Sequence, residues 1–196
     1  MRAFVIAMKN EAAVVRPFLK DGDRLYVSGV GKVNAAAATQ KAIDAGADEI
    51  LNCGVAGGLD PEMEVGEPYE ISQAVEYDFD LTIINGTKLG THNERTTPYF
   101  DCCTGGKFPA RILATGDRFT NDERDVENPL ALGATVKDME GAAIAHVCEL
   151  NGVPCRMLKC LSDVHGKGAM TGQYKDNLAK ALSHLGAALA SWTSLG

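Results

Sequence analysis

The sequence predicts an α/β fold, with helices covering both faces of a central sheet in an α/β/α arrangement. Two observations predict it. Apolar β-rich runs alternate with segments of helical spacing along the chain, the pattern of a mostly parallel sheet. At 196 residues the chain can bury one core without disulfide or metal staples, so residues 1–196 are read as a single domain.

The elements follow in order. Strands are expected at Ala3 to Met8, Leu25 to Val27, Glu49 to Cys53, Ala110 to Thr115, Thr135 to Lys137 and Cys155 to Leu161. Helices are expected at Glu11 to Leu19, Lys32 to Ala45, Gly141 to Leu150 and Tyr174 to Trp192. Glu67 to Asp80 reads as one or two further strands. Gly86 to Lys107, rich in Gly, Thr, Asn and Pro, reads as a long loop of the kind that often carries function. The core is expected to include Val5, Ile6, Leu51, Ile112, Leu113, Val136, Met157 and Leu158.

Charge and composition narrow the function. A formal net charge of −7 with no basic run argues against nucleic acid and against an anionic membrane surface. The apolar stretch Ala3 to Ala7 is too short for a signal segment or a membrane span, and a cytoplasmic protein is expected. The six cysteines include no C-x-x-C pair and read as reduced, mostly buried thiols. Cys102-Cys103 lacks a second ligand pair at metal spacing, and neither a metal nor a cofactor is expected.

The most informative junction is Asp138-Met139-Glu140-Gly141, where a strand end runs into the small-residue helix Ala142-Ala143-Ile144-Ala145. In open α/β sheets that edge is where ligands bind. A Glu there can accept two hydroxyl hydrogen bonds from a vicinal diol such as ribose, and Met offers a polarizable apolar floor. A first-turn acid that merely offsets the helix dipole explains Glu140 alone equally well. Two Gly-rich segments, Ser28 to Asn34 and Cys53 to Leu59, also end strands and would let a ligand approach the backbone; either could be an ordinary tight turn. Glu11, Glu140 and Asp163 each follow a strand of one sheet, which places all three on one side of it.

Together these segments resemble the nucleoside phosphorylase superfamily, most closely its methylthioadenosine/S-adenosylhomocysteine nucleosidases. The resemblance rests on Ala7-Met8-Lys9-Asn10-Glu11, Ser28-Gly29-Val30-Gly31-Lys32-Val33, Asn52 to Leu59, Thr115-Gly116-Asp117-Arg118-Phe119, Asp138 to Ala145 and Ser162-Asp163, in that order and spacing. It implies a central mixed, partly barrel-like sheet and hydrolysis of the N-glycosidic bond of a purine nucleoside. Asp163 is then the acid that protonates purine N7, and Glu11 the base that orients and deprotonates water, a two-carboxylate division of labour. Glu140 would bind the ribose hydroxyls and Met139 would pack on the sugar. Phe119 would stack on the base, whose edge is read around Phe119 and Thr120. The resemblance also puts Val55, Ala56, Gly57, Lys159 and Ser162 among the substrate-binding positions, and implies a homodimer in which the loop Gly86 to Pro98 covers the neighbour's 5′ pocket.

The chain departs from the family pattern in places. Val55 stands where nucleosidases commonly carry Ser, and Lys159 replaces an Arg, keeping charge but losing the planar fork. Between Leu19 and Ser28 there is room for only one strand, a helix is lacking between Asp101 and Ala110, and Asp78 to Tyr99 diverges. Superfamily phosphorylases carry a phosphate-binding Arg just before the second Gly cluster; here Asn52 and Cys53 precede Gly54, which favours water over phosphate. Phosphorolysis is the runner-up. A nicotinamide-dependent oxidoreductase would rest on Gly29, Gly31 and Glu49 and leaves the other acids unexplained. A nucleoside binder without catalysis would have no need for both Glu11 and Asp163.

Overall fold

A computed structural model describes residues 1–93, 95–120 and 123–192; Glu94, inside the expected long loop, lies outside them. Among the described residues there are eight strands and six α-helices. In chain order they are β1 (Arg2–Ile6), α1 (Lys9–Val15), β2 (Arg24–Val27), α2 (Lys32–Asp44), β3 (Glu49–Gly58), β4 (Pro68–Glu76), α3 (Thr82–Asn85), β5 (Tyr99–Asp101), β6 (Ala110–Thr115), α4 (Arg124–Ala131), β7 (Val136–Asp138), α5 (Gly141–Asn151), β8 (Cys155–Val164) and α6 (Met170–Trp192).

The sheet is mixed and partly closed on itself. β3 pairs with β8 in parallel and with β7 antiparallel. β7 pairs with β6, β6 with β4, and β4 returns antiparallel to β8. These five strands form a ring, while β1 and β2 extend the sheet from the first half of β3. β3 and β8 are ten residues each: β3 serves β1 at its start and β7 at its end, and β8 runs beside it over the whole length while its middle also takes β4. Hence two expected boundaries are corrected. β3 continues through the Gly cluster to Gly58, and β8 continues to Val164. The cluster is therefore extended strand rather than a turn, and Asp163 lies within β8 rather than beyond it. Gly58 is there because of packing: a Cβ would sit 2.9 Å from Leu161 Cδ1.

Alternation along the strands splits the interior between the two sheet faces. Val5 joins Ala35 and Ala42 of α2 and Ile144 and Cys148 of α5 on one face. Phe4 and Ile6 join Val15 of α1 and Leu185, Leu189 and Trp192 of α6 on the other. Seven of the eight expected core residues are buried; Ile112 is only half-buried. Glu67 to Asp80 holds a single strand, β4, and the expected loop contains the short β5. The first helix ends at Val15 and gives way to a 3₁₀ turn at Arg16–Phe18, where Pro17 removes an N–H. α4 was not signalled because Pro129 sits inside it, and α6 starts one turn early despite Gly172. No described helix is long and apolar enough to cross a membrane.

Candidate active site

One cavity of about 310 Å³ opens at the strand ends near β1, β3, β7 and β8. Glu11 enters it from the first turn of α1. Its carboxylate accepts the Met8 N–H at 3.0 Å, closing a capping box, and the Val55 N–H at 2.8 Å. A Cβ on Gly54 would lie 2.5 Å from Glu11 Oε1, so only glycine lets β3 pass this close. Burial raises the proton affinity of Glu11, against the two N–H donors and the charge of Lys159. Gly54→Ala is accordingly expected to displace Glu11 and lower turnover without loss of the fold, checked by kinetics beside a thermal melt.

Asp163 reaches the same cavity from β8. The β3–β8 register shifts between Ala56 and Gly57, leaving Ser162 as the extra residue; bulges of this kind re-aim side chains. The Ser162 hydroxyl lies 2.7 Å from Asp163 Oδ1, and a Cβ on Gly57 would come within 3.0 Å of Asp163 Oδ2. Burial pushes the Asp163 carboxyl up to about 6, opposed by the Ser162 hydroxyl and the Lys137 charge. A carboxylic acid is thus kept partly protonated near neutral pH, as a proton donor requires.

Glu140 stands at the start of α5, and its Oε1 accepts the Gly31 N–H at 2.9 Å. That contact locks the Ser28–Asn34 turn, in which Gly29 and Gly31 have φ of 88° and 102°, to the Asp138–Gly141 junction. Beneath it, Asp138 accepts the Thr115 hydroxyl at 2.6 Å and the Gly141 N–H at 2.9 Å, and pairs with Lys159 Nζ at 2.8 Å. Burial and the Asp138 charge raise the proton affinity of Glu140, against Lys159 and the Gly31 N–H. Lys159 itself is fully buried; burial opposes its charge, but Asp138 and Glu140 hold its pKa above the ordinary value.

The walls complete the picture. Glu11, Val55, Ala56, Gly57, Phe119, Thr120, Met139, Glu140, Ser162 and Asp163 all line the cavity. Lys159 does not: it was expected at the substrate and is found under the floor, because its ammonium is consumed by buried Asp138. Sequence reasoning missed two residues. Lys137 Nζ holds the Arg118 carbonyl and the Thr120 hydroxyl, both at 3.0 Å, and so shapes the loop that carries Phe119. Tyr174 of α6 meets Phe119 edge-on with centroids 5.8 Å apart, and its hydroxyl lies 3.6 Å from Met8 Sδ. Only the place of Lys137 in a short strand directly before the Asp138–Gly141 junction could have hinted at the first.

Known proteins share this sequence pattern and fold. The chain is 34% identical to a 5′-methylthioadenosine/S-adenosylhomocysteine nucleosidase of Marinomonas sp., covering 82% of this chain and 84% of that one. It is 33% identical to an aminodeoxyfutalosine nucleosidase of Campylobacter jejuni, over 74% and 69% of the two chains. In structure it superposes on a Helicobacter pylori 5′-methylthioadenosine/S-adenosyl homocysteine nucleosidase with a TM-score of 0.86 at 22% identity, covering 98% and 97%. The sequence pattern of the phosphorylase superfamily matches residues 24–192, from β2 to the end of α6. The partly closed sheet with its strand-end cavity is thus the fold of that superfamily, and the chain belongs to it.

Proposed function

We propose that the protein is a purine nucleosidase that hydrolyses the N-glycosidic bond of an adenosine-type nucleoside bearing a 5′ substituent, of the methylthioadenosine/S-adenosylhomocysteine kind. One observation carries this reading: two buried carboxyls of raised proton affinity, Glu11 and Asp163, line a single cavity with Glu140 and Phe119. Bond cleavage leaves positive charge on the ribose and negative charge on the departing base. Asp163, protonated, gives its proton to purine N7. Glu11, ionised and fixed by two N–H groups, takes a proton from the water that attacks the anomeric carbon. Glu140, with one oxygen fixed on Gly31, orients the ribose hydroxyls. Met139 packs on the sugar, and Phe119, Thr120, Val55, Ala56, Gly57 and Ser162 frame the base.

The test is release of free adenine from methylthioadenosine, S-adenosylhomocysteine and aminodeoxyfutalosine, with and without inorganic phosphate. Release independent of phosphate supports hydrolysis; strict dependence on phosphate overturns it. The pH profile has a defined sign. kcat/KM is expected to fall as pH rises through the Asp163 pKa of about 6, because the acid is lost. It falls on the acid side as Glu11 takes up a proton, and this limb lies above the ordinary glutamate value of 4.5 because burial raises Glu11. Glu140→Gln is expected to raise KM as well as lower kcat, since it removes a charge that binds ground-state hydroxyls.

A single-domain homodimer in the cytoplasm completes the proposal. Lys32 ties the start of α2 to Glu76 and Asp78. Val33 of α2 is exposed, Val30 lines the cavity, and in α3 Ile83 is 96% exposed beside Ile84. The two adjacent isoleucines of α3 are apolar surface that a second copy of the chain would cover. Sedimentation is expected to give a dimer that Ile83→Lys/Ile84→Lys weakens; a monomer in the unmodified chain refutes it.

A further inference from the structure

Three side chains that take no part in the cavity converge elsewhere. They are Glu76 at the end of β4, His92 in the segment after α3, and His146 on α5. Glu76 Oε1 lies 3.4 Å from His92 Nε2 and 3.4 Å from His146 Nδ1, and the three atoms all lie within 4.8 Å of one another. Both spans exceed the usual hydrogen-bond length. They match the edge of a coordination tetrahedron, because ligands about 2.0–2.1 Å from a zinc-like ion stand about 3.3–3.4 Å apart. The His92 Nε2 atom is buried and has no hydrogen-bond partner among the described residues.

The surroundings hold these donors ready. Phe79 stacks on His92 with centroids 3.9 Å apart and planes 13° apart, and Phe100 stacks on His146 at 4.4 Å and 22°. Two aromatic walls fix both imidazoles, the kind of support that ligating histidines need. Lys32 lies 3.1 Å from the other Glu76 oxygen, but it is matched by Asp78 at 2.6 Å, so the Glu76 charge remains for a second cation.

We infer that Glu76, His92 and His146 form a binding site for a divalent first-row transition-metal ion of the zinc class, held by two imidazole nitrogens and one carboxylate oxygen. Two nitrogens and one oxygen suit such an ion better than calcium or magnesium, which take oxygen sets. With three protein ligands a fourth position is left for water. The donors come from a strand, a helix and the segment between β4 and β5, so the bound ion pins that segment to the sheet and to α5. Sequence spacing gave no sign of the site, because its donors are far apart in the chain.

The test uses chelator-treated, full-length protein titrated with Zn²⁺ by calorimetry and with Co²⁺ by absorption spectroscopy. One Zn²⁺ per chain is expected, with a Co²⁺ spectrum of nitrogen and oxygen ligation that lacks thiolate charge-transfer bands. Second-sphere changes alone typically cost 10- to 100-fold in affinity. His92→Ala and His146→Ala, which remove ligands, are each expected to cost at least about 100-fold. His165→Ala/His184→Ala should bind as the unmodified chain does. The inference is overturned if the unmodified chain takes up no Zn²⁺ at millimolar concentration, or if His92→Ala and His146→Ala bind as tightly. Thiolate bands in the Co²⁺ spectrum would also overturn it, by moving the ion to the cysteines. The cobalt spectrum is read on the unmodified chain, so it decides even where a variant fails to fold.

Discussion

Asp163→Asn is expected to lower kcat by about 10²- to 10⁴-fold, the usual contribution of a positioned acid, while nucleoside binding persists. The amide keeps the shape of the side chain and can still donate a hydrogen bond, but it has no proton to transfer to the purine. Stability separates this outcome from misfolding. The Asp163 carboxyl is raised from 3.8 to about 6 by burial, so the folded state binds more protons than the unfolded chain between those values. Stability therefore falls as pH rises from about 4 to 6, and the ionised group remains a cost at pH 7. A neutral Asn removes that cost. The variant is expected to melt at the same or a higher temperature at pH 7 while turning over hardly at all, a stability gain at an active-site position. Near-native turnover in Asp163→Asn would place the proton donor elsewhere and remove Asp163 from the mechanism. Glu11→Gln is expected to fail in the same way for a different reason, because water activation is lost.

Lys159→Met is expected to destabilise the protein by about 3–5 kcal/mol, the range for removing one partner of a buried ion pair. Asp138 stays buried without its 2.8 Å counter-charge, and Glu140 and Glu11 lose the cation that opposes their burial. The Thr115 and Gly141 contacts to Asp138 limit the loss. Burial opposes the Lys159 charge, yet Asp138 and Glu140 hold its pKa above 10.5. Its stabilising contribution is therefore complete at neutral pH and fades only as pH climbs through that raised value. Urea unfolding of Lys159→Met, Asp138→Asn and the double variant measures the coupling. If the double variant is no more stable than the sum of the singles predicts, the pair is not coupled and Lys159 does not hold up the floor of the cavity. Lys159→Arg keeps the charge, and its effect reports whether the buried slot tolerates a planar head.

The alternation of elements was legible in the chain, as were ten of the residues that line the cavity, though not Lys137 or Tyr174. Glu11, Met139 and Glu140 sit at strand-to-helix junctions, where a short motif and the direction of the chain suffice to place a side chain at the sheet edge. Phe119 and Asp163 were legible through motif order, although Asp163 was assigned to a position beyond its strand. The Gly cluster at Gly54, Gly57 and Gly58 reads in sequence as the end of a strand, with a tight turn as the alternative, because glycine signals a bend as readily as it signals crowding; it is continuous strand. Its true reason, the approach of Glu11, Asp163 and Leu161 to β3, involves residues far away in the chain. Lys159 was placed at the substrate for the same reason: nothing near it in sequence reveals that Asp138 claims its charge.

By itself the sequence determined the α/β class, the apolar faces of the helices and strands, and the identity of the acids at the strand ends. These depend on periodicities of two and 3.6 residues and on local turn chemistry, which act over a few positions. Only the tertiary structure decided the closing of β3, β7, β6, β4 and β8 into a ring, the bulge that turns Asp163 inward, and the meeting of Lys137 with the Phe119 loop. It alone brought Glu76 to His92 and His146. Each of these is a choice of partner between distant segments, set by how whole faces pack and how buried charges find counter-charges, and no local pattern records that choice.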